Sequence, residues 1–380
     1  MTRAVPSVLA AVPLVDLSTQ HDDLFAADFI DGITATLERG DFINGEAVRR
    51  FEAEFAAAHS HPRRCVAVSS GLDALRLALL AFGVKARVIV PALTFAATWE
   101  AVVQAGAILL PADVDEDGLL DPQAVEALPL KGAAAACVPV HLYGRLADVP
   151  ALRGVLPDGC KVIEDAAQAH GAWRVLASGR EIRAGEEGDA AAYSFYPSKP
   201  LGAIGDAGAV VTPLDVTDAL LRALREHGQR AKGEHVAVGY TARMDTIQAL
   251  ALLSKLPRLW GWNQERRDIA YTYNEQLQGV GDLWLPTVEE GDAVHVYAVR
   301  TADPGALAAH LAERGIATGR HYSVPLHLAP AFAWHGPRGG SFPVAERIAA
   351  TTLSLPCYAG MTESQQERVV EAVWTWWRQR

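Results

Sequence analysis

Residues 188–212 read GDAAAYSFYPSKPLGAIGDAGAVVT. Two strand-like runs, Ala190–Phe195 and Gly208–Thr212, flank a loop of proline, glycine and serine that holds one lysine, Lys199, between Ser198 and Pro200. An ammonium brought between apolar strands loses solvation worth several kcal/mol, on the order of what an unpaired buried charge costs, unless something compensates it. That cost is tolerated where the amine must be partly neutral and nucleophilic. A solvated surface-loop lysine is the competing reading of the loop taken alone.

The chain upstream alternates strand and helix patterns. Ala26–Arg39 has helical spacing, and Glu46–His59 puts Val48, Phe51, Phe55 and Ala58 on one helical face. Val66–Val68 reads as a strand, Ser69-Ser70-Gly71 as a tight turn, and Leu72–Phe82 as a helix. A strand feeding a Ser/Gly turn and a helix N-terminus is a generic phosphate cradle, because free N–H groups and the helix dipole point at one spot. Strands follow at Arg87–Val90, Ile108–Ala112, Ala134–Val140 and Lys161–Glu164, with helices at Phe95–Ala105, Pro122–Leu128 and Val149–Val155. Near-continuous apolar strands separated by helices predict an α/β fold with a mostly parallel sheet covered on both faces. Ligands of such sheets bind beyond the carboxyl ends of the strands, where Ser70, Phe95, Tyr143 and Asp165 fall.

Beyond Met244 the pattern changes to helices at Ile247–Leu259 and Gln264–Leu277, then a strand at His295–Arg300 and a helix at Gly305–Arg314. A helix at Val344–Thr352, a strand-like Ser354–Pro356 and a helix at Glu363–Arg378 close the chain. We expect a large domain over residues 1–245 and, over 246–380, a linker helix with a smaller C-terminal α/β domain.

With 34 basic and 45 acidic residues the net charge is −11, which argues against an extended nucleic-acid surface. The four cysteines have no CxxC spacing, so neither a zinc module nor a disulfide scaffold is expected, and no metal site is. The N-terminus, MTRAVPSVLAAVPLVDL, is a poor signal peptide, and no apolar run reaches the roughly 18 residues that span a bilayer. The expectation is a cytoplasmic protein without a membrane partner.

Lys199 would suit pyridoxal 5′-phosphate, which needs a carboxylate at its ring nitrogen, a phosphate cradle and a flat partner for the ring. Asp165, in VIEDAAQAHGA (residues 162–172), could supply the carboxylate and Gln168 a hydrogen bond to the phenolic oxygen. Phe95 could stack on the ring, and Ser70, Gly71 and Ser194 could cradle the phosphate. Singly, each has another reading: Asp165 as a helix N-cap, Phe95 as core, the serines as turn hydroxyls.

Taken together, these segments resemble the DegT-type family of pyridoxal-phosphate sugar aminotransferases, of the aspartate-aminotransferase fold type I. The matching stretches are FINGEAVRRFEAEFA (42–56), VSSGLDALRLAL (68–79), VIVPALTFAATWEAV (88–102), VIEDAAQAHGA, the 188–212 segment, ARMDTIQALAL (242–252) and GIATGRHYSVPLHLAPAF (315–332). The resemblance implies a seven-stranded-type sheet in the large domain. It implies that Lys199 carries the cofactor, Asp165 pairs with the ring nitrogen and Gln168 approaches the phenolic oxygen. Ser70, Gly71, Leu72 through its backbone, and Ser194 would hold the phosphate, with Phe95 on the ring. His321, Tyr322 and Tyr196 would lie near the sugar nucleotide.

A homodimer with shared active sites is implied too, the family's Asn-Ser-Arg reaching the neighbouring cofactor's phosphate. Here that triplet is Thr241-Ala242-Arg243, so Thr241 offers a shorter hydroxyl donor. Leu72 stands where many members have threonine, and Ser198 and Pro200 where glycine and asparagine are common. The resemblance implies transamination, with L-glutamate as donor, pyridoxamine phosphate as the amino-carrying form and a nucleotide-linked keto-sugar as acceptor. GLDALRLAL and TFAATW resemble enzymes that aminate carbon 3 of dTDP-3-keto-6-deoxyhexoses. A 4-keto-sugar, a keto-cyclitol or a non-catalytic, pyridoxal-phosphate-binding regulatory role are the alternatives.

Overall fold

The computed structural model describes residues 11–25, 27–59, 64–129, 134–335 and 339–380; most of the N-terminal leader and Ala26 lie outside them. Seven short apolar strands form the central sheet: β1 (Arg64–Val68), β2 (Arg87–Pro91), β3 (Ile108–Ala112), β4 (Ala134–Cys137), β5 (Lys161–Asp165), β6 (Ala190–Ser194) and β7 (Gly208–Thr212). Their order is β1-β7-β6-β5-β4-β2-β3. From β6 through β5, β4 and β2 to β3 every pairing is parallel, whereas β7 runs antiparallel to both β6 and β1. All strands but β7 therefore point their carboxyl ends the same way. Both faces are buried, as the unbroken apolar runs require.

Helix α1 (Glu46–His59) covers one face. It sets Phe51 and Phe55 against Phe195 and Tyr193, with ring centroids 5.0–5.4 Å apart across the cluster. This aromatic packing backs the strand that leads into the lysine loop. Buried Glu52 of α1 accepts from the backbone N–H of Ala67 (2.9 Å), Arg225 (2.6 Å) and Arg222 (2.7 Å). The network ties α1 and β1 to helix α4 (Asp215–Arg225). On the other face lie α2 (Gly71–Ala81) and α3 (Ala96–Gln104), with Leu75, Leu77 and Trp99 in the core.

Most elements fall where expected, and the differences have local causes. Strand β4 ends at Cys137, before Pro139, which has no N–H to give, although the chain stays beside its neighbours through Val138 N–H to Ile89 and a parallel bridge from Val140 to Asp165. Phe95 is the N-cap of α3, with extended backbone, so its side chain leaves the helix. The run expected as one helix to Leu259 is α5 (Thr246–Lys255), a 3₁₀ turn holding Pro257, and α6 (Leu259–Leu277). Helix α4 is not among the expected elements, although acids in its first turn and arginines in its last mark it.

The C-terminal unit pairs β8 (Tyr297–Arg300) with β9 (Thr352–Leu355), antiparallel, over a core that includes Tyr273, Leu311, Val369 and Val373. Val12, from the N-terminal segment, joins this core, and α5 packs instead with the large core. Helix α7 (Pro343–Thr351) has no side-chain cap at Phe342. Asp113, just past β3, supplies it from afar, accepting from the N–H groups of Val344 (3.0 Å) and Ala345 (2.9 Å). Helix α8 (Glu363–Arg378) begins with a capping box at Thr362 and Gln365. No described helix is long and apolar enough to cross a membrane, and all four cysteines are buried and free.

Candidate active site

The carboxyl ends of β1, β2, β4, β5 and β6 deliver Ser70, Phe95, Tyr143, Asp165 and Lys199 to one side of the sheet. Lys199 lies in the β6–β7 loop, its N–H donated to the Tyr196 carbonyl at 2.8 Å. Loss of solvation pulls its amine down to about 8, and the negative field of Asp165 partly offsets the fall. Asp165 is buried, and its carboxyl is raised by desolvation against the Thr98 hydroxyl, the Ala167 N–H and the charge of Lys199. Amine and carboxyl thus feel each other's charge, one at the end of β5 and the other in the loop after the neighbouring β6.

The lysine loop is held from below. Buried Lys255 donates to the Gly202 carbonyl at 2.8 Å, and burial brings this second amine down to about 8 as well. Gly202 is needed there, since a Cβ would sit 2.1 Å from the Pro197 carbonyl oxygen.

Ser70 is the N-cap of α2 and its hydroxyl accepts from Asp73 N–H at 3.1 Å. The N–H groups of Gly71 and Leu72 stand in the first turn, where a helix has no acceptor of its own. Ser194 lies across from them: a Cβ on Gly71 would fall 2.5 Å from Ser194 Cβ. Gly208 closes the third side, where a Cβ would fall 2.3 Å from the Ser70 carbonyl. The result is a tight concavity of N–H and O–H donors with helix-dipole support, which fits a phosphate.

Gln168 is buried and nearly committed. Its carbonyl accepts from Tyr143 N–H at 2.7 Å, and its amide donates to the Tyr322 hydroxyl at 3.2 Å, leaving one amide proton free to serve a ligand. Phe95 is 54% exposed and its ring centroid is 5.9 Å from that of Tyr322. Burial pushes the Tyr322 phenol up to about 12, so it stays protonated. His321 is fixed through Nδ1 to Ser354 Oγ at 2.8 Å, and desolvation with the charge of Lys199 lowers its proton affinity. Tyr196 is 54% exposed beside the lysine loop. Thr241 is exposed and bonded to His227 Nε2 of its own chain at 3.2 Å, while its neighbour Ala242 accepts from Ser69 N–H.

Three contributors, Thr98, His295 and His141, lie outside the expected set, and a fourth, Tyr143, is expected at a strand end but without a partner. Tyr143 has φ 61°, an uncommon left-handed backbone for a bulky residue, and its hydroxyl donates to the His321 carbonyl. That bond fastens the loop that carries His321 and Tyr322 to the segment that follows β4. Its position after the β4 run is readable from sequence; the contact is not. Thr98 donates to Asp165 at 2.8 Å. Half-buried His295 is held well below the usual histidine range by lost solvation, then by the charges of Lys199 and Arg266. His141 Nδ1 accepts from Ala147 N–H, so its Nε2 carries the proton given to Glu164, 2.7 Å away.

Comparison with known proteins gives the family and the fold. The chain matches the DegT/DnrJ/EryC1/StrS aminotransferase family over residues 24–374. It is 42% identical over 371 residues to the dTDP-3-amino-3,4,6-trideoxy-alpha-D-glucose transaminase of Streptomyces venezuelae, covering 96% of both chains. The crystal structure of S. venezuelae DesV superposes with a TM-score of 0.90 at 41% identity, covering 97% of this chain and 98% of the other. The Bacillus subtilis protein ntda, solved with bound cofactor pmp, gives 0.84 at 28% identity, covering 98% and 86%. The chain therefore belongs to the DegT/DnrJ/EryC1/StrS aminotransferase family, with the pyridoxal-phosphate transferase fold.

Proposed function

We propose that the chain transfers an amino group from L-glutamate to carbon 3 of a nucleotide-linked 3-keto-6-deoxyhexose, with a dTDP sugar as the preferred acceptor. The observation that carries the reading is the placement of Asp165 and the Lys199 loop at the same ends of two neighbouring parallel strands, β5 and β6, beside a donor-lined cradle. The choice of carbon and nucleotide is supported by the likeness to the S. venezuelae transaminase.

Pyridoxal 5′-phosphate, when bound, supplies an electron sink that acidifies the carbon bearing the amino group and stores that group between the two half-reactions. The residues present suit it. The Gly71 and Leu72 N–H groups with the Ser70 and Ser194 hydroxyls would hold the phosphate. Asp165 would face the ring nitrogen, the spare Gln168 amide proton the phenolic oxygen, and Phe95 the ring face. Lys199 would be the point of covalent attachment. Once the donor's amine has displaced it, an amine near 8 is freed of its proton close to neutrality, so Lys199 Nζ could take a proton from the donor's α-carbon and, in the second half-reaction, give one to carbon 3 of the acceptor. His321, Tyr322 and Tyr196 would line the acceptor, the first two held by Ser354 and Gln168.

The same reading includes a cytoplasmic homodimer. Phe42, Ile43, Leu37 and Ile247 line an exposed apolar groove of the kind subunits cover, and Thr241 with His227 would reach the neighbouring cradle. Sedimentation of the purified protein tests the dimer. The function is tested by running the reaction backwards on purified dTDP-3-amino and dTDP-4-amino sugars with 2-oxoglutarate. Deamination of the 3-amino isomer alone is expected; preference for the 4-amino isomer or an aminocyclitol would move the assignment. No turnover with any of them, in protein that holds the cofactor, would leave a regulatory role.

A further inference from the structure

Among the described residues the Asp165 side chain accepts from the Ala167 N–H at 3.2 Å and from one side chain, Thr98, whose Oγ1 lies 2.8 Å from Oδ2. Thr98 is 1% exposed, and its Oγ1 is 3.0 Å from that of Thr94, itself 2% exposed. The two threonines bracket Phe95, the N-cap of α3. A carboxylate only accepts, so the Thr98 proton must point at Asp165. The Thr98 oxygen is then left to accept from Thr94. The direction of the chain is fixed, Thr94 to Thr98 to Asp165, and each bond polarises the next toward the carboxylate. Valine has the same shape as threonine and would fill this apolar site without bringing a hydroxyl out of water, so shape alone does not call for the threonine here.

Lys199, His141 and Tyr322 are the titratable groups whose fields couple to Asp165. None of them is hydrogen-bonded to its carboxyl among the described residues. We propose that Thr98, backed by Thr94, is a positioning residue that keeps the Asp165 carboxylate ionised and aimed, and so sets the charge on the cofactor's ring nitrogen without touching the cofactor. The inference rests on the assignment of Asp165 to that nitrogen. Without the Thr98 donor, Asp165 is a stronger base and takes the proton from the ring nitrogen, leaving it neutral. A neutral ring withdraws fewer electrons from the lysine-linked nitrogen, which then holds its own proton to higher pH.

The test is a pH titration of the visible absorbance band of the holoenzyme, compared among wild type, Thr98→Val, Thr98→Ser, Thr94→Val and Asp165→Asn. Thr98→Val should raise the midpoint by about one pH unit, the scale of one hydrogen bond to a charged group. Thr94→Val should raise it less, Thr98→Ser should match wild type, and Asp165→Asn should raise it most. An unmoved midpoint in Thr98→Val beside a raised one in Asp165→Asn overturns this inference alone. If Asp165→Asn also leaves it unmoved, the assignment of Asp165 falls as well. Should Thr98→Val fail to retain the cofactor, Thr98→Ser decides: a wild-type midpoint supports the hydroxyl, and equal loss of cofactor overturns it in favour of packing.

Discussion

Gly71 and Ser194, from opposite sides of the phosphate-type cradle, are in contact so close that a methyl group on the glycine would lie 2.5 Å from the serine's Cβ. Backbone of Ser194 lies only 3.1 Å away, so the strand itself would have to give. Gly71→Ala should cost about 1–3 kcal/mol of stability through overpacking and weaken pyridoxal 5′-phosphate binding at least about tenfold. Thermal melts of the apo protein and absorbance titration with the cofactor check both. Undiminished cofactor affinity would put the phosphate elsewhere.

Lys199 should report its lowered proton affinity when apo protein is loaded with cofactor. Below about 8 the amine is protonated and cannot attack the aldehyde; above it the amine is free. The loading rate should climb roughly tenfold per pH unit on the acid side and level off beyond 8. Stopped-flow absorbance across that range measures it. A rate still rising above pH 10 would mean that the attacking amine is an ordinary lysine.

Tyr143→Phe deletes the hydroxyl that reaches the His321 carbonyl but keeps the N–H bonded to Gln168. The loop carrying His321 and Tyr322 loses its fastening while the cofactor side is untouched. KM for the keto-sugar should rise about fivefold to tenfold, with kcat within about threefold and a stability loss near 1 kcal/mol. A large fall in kcat at unchanged KM would contradict a role confined to the acceptor side.

Glu164 is buried with its carboxylate satisfied by His141, Gly185 N–H and Gly188 N–H. Burial alone would raise its proton affinity, yet these donors leave it below the ordinary 4.5. Its stabilising contribution is therefore complete above pH 4.5 and is lost as pH falls through the lower folded value. Glu164→Gln should destabilise by roughly 3 kcal/mol at pH 7, since an amide nitrogen would oppose one of the glycine donors. Its stability should fall less steeply than wild type below pH 4.5. Urea melts from pH 7 to 3.5 would show the two curves converging; parallel curves would refute the assignment.

The strands and helices were legible where burial imposes an unbroken or periodic apolar pattern, as at Ile108–Ala112, Gly208–Thr212, Val149–Val155 and Glu363–Arg378. Lys199, Asp165 and the Ser70-Gly71 turn could be located because each sits where an apolar strand stops, which sequence marks plainly. The contacts of Thr98, Tyr143 and His295 could not. Thr98 meets Asp165, and Tyr143 meets His321, only because the sheet order and the docking of the C-terminal unit bring distant segments together. No local spacing encodes those meetings. Helix α4 shows the opposite failure, with terminal charges that could have been read.

The Asp113 carboxylate, just past β3, grips the first turn of α7 from a distant part of the chain. Swinging the C-terminal segment outward as a rigid door would exchange both bonds for water, a loss of about 1.5–3 kcal/mol for each bond to a charged group. A bulky sugar nucleotide is thus better admitted by small turns of side chains at the rim, where the rings of Phe95 and Tyr322 meet at a tilt of 40°, than by a hinged jaw.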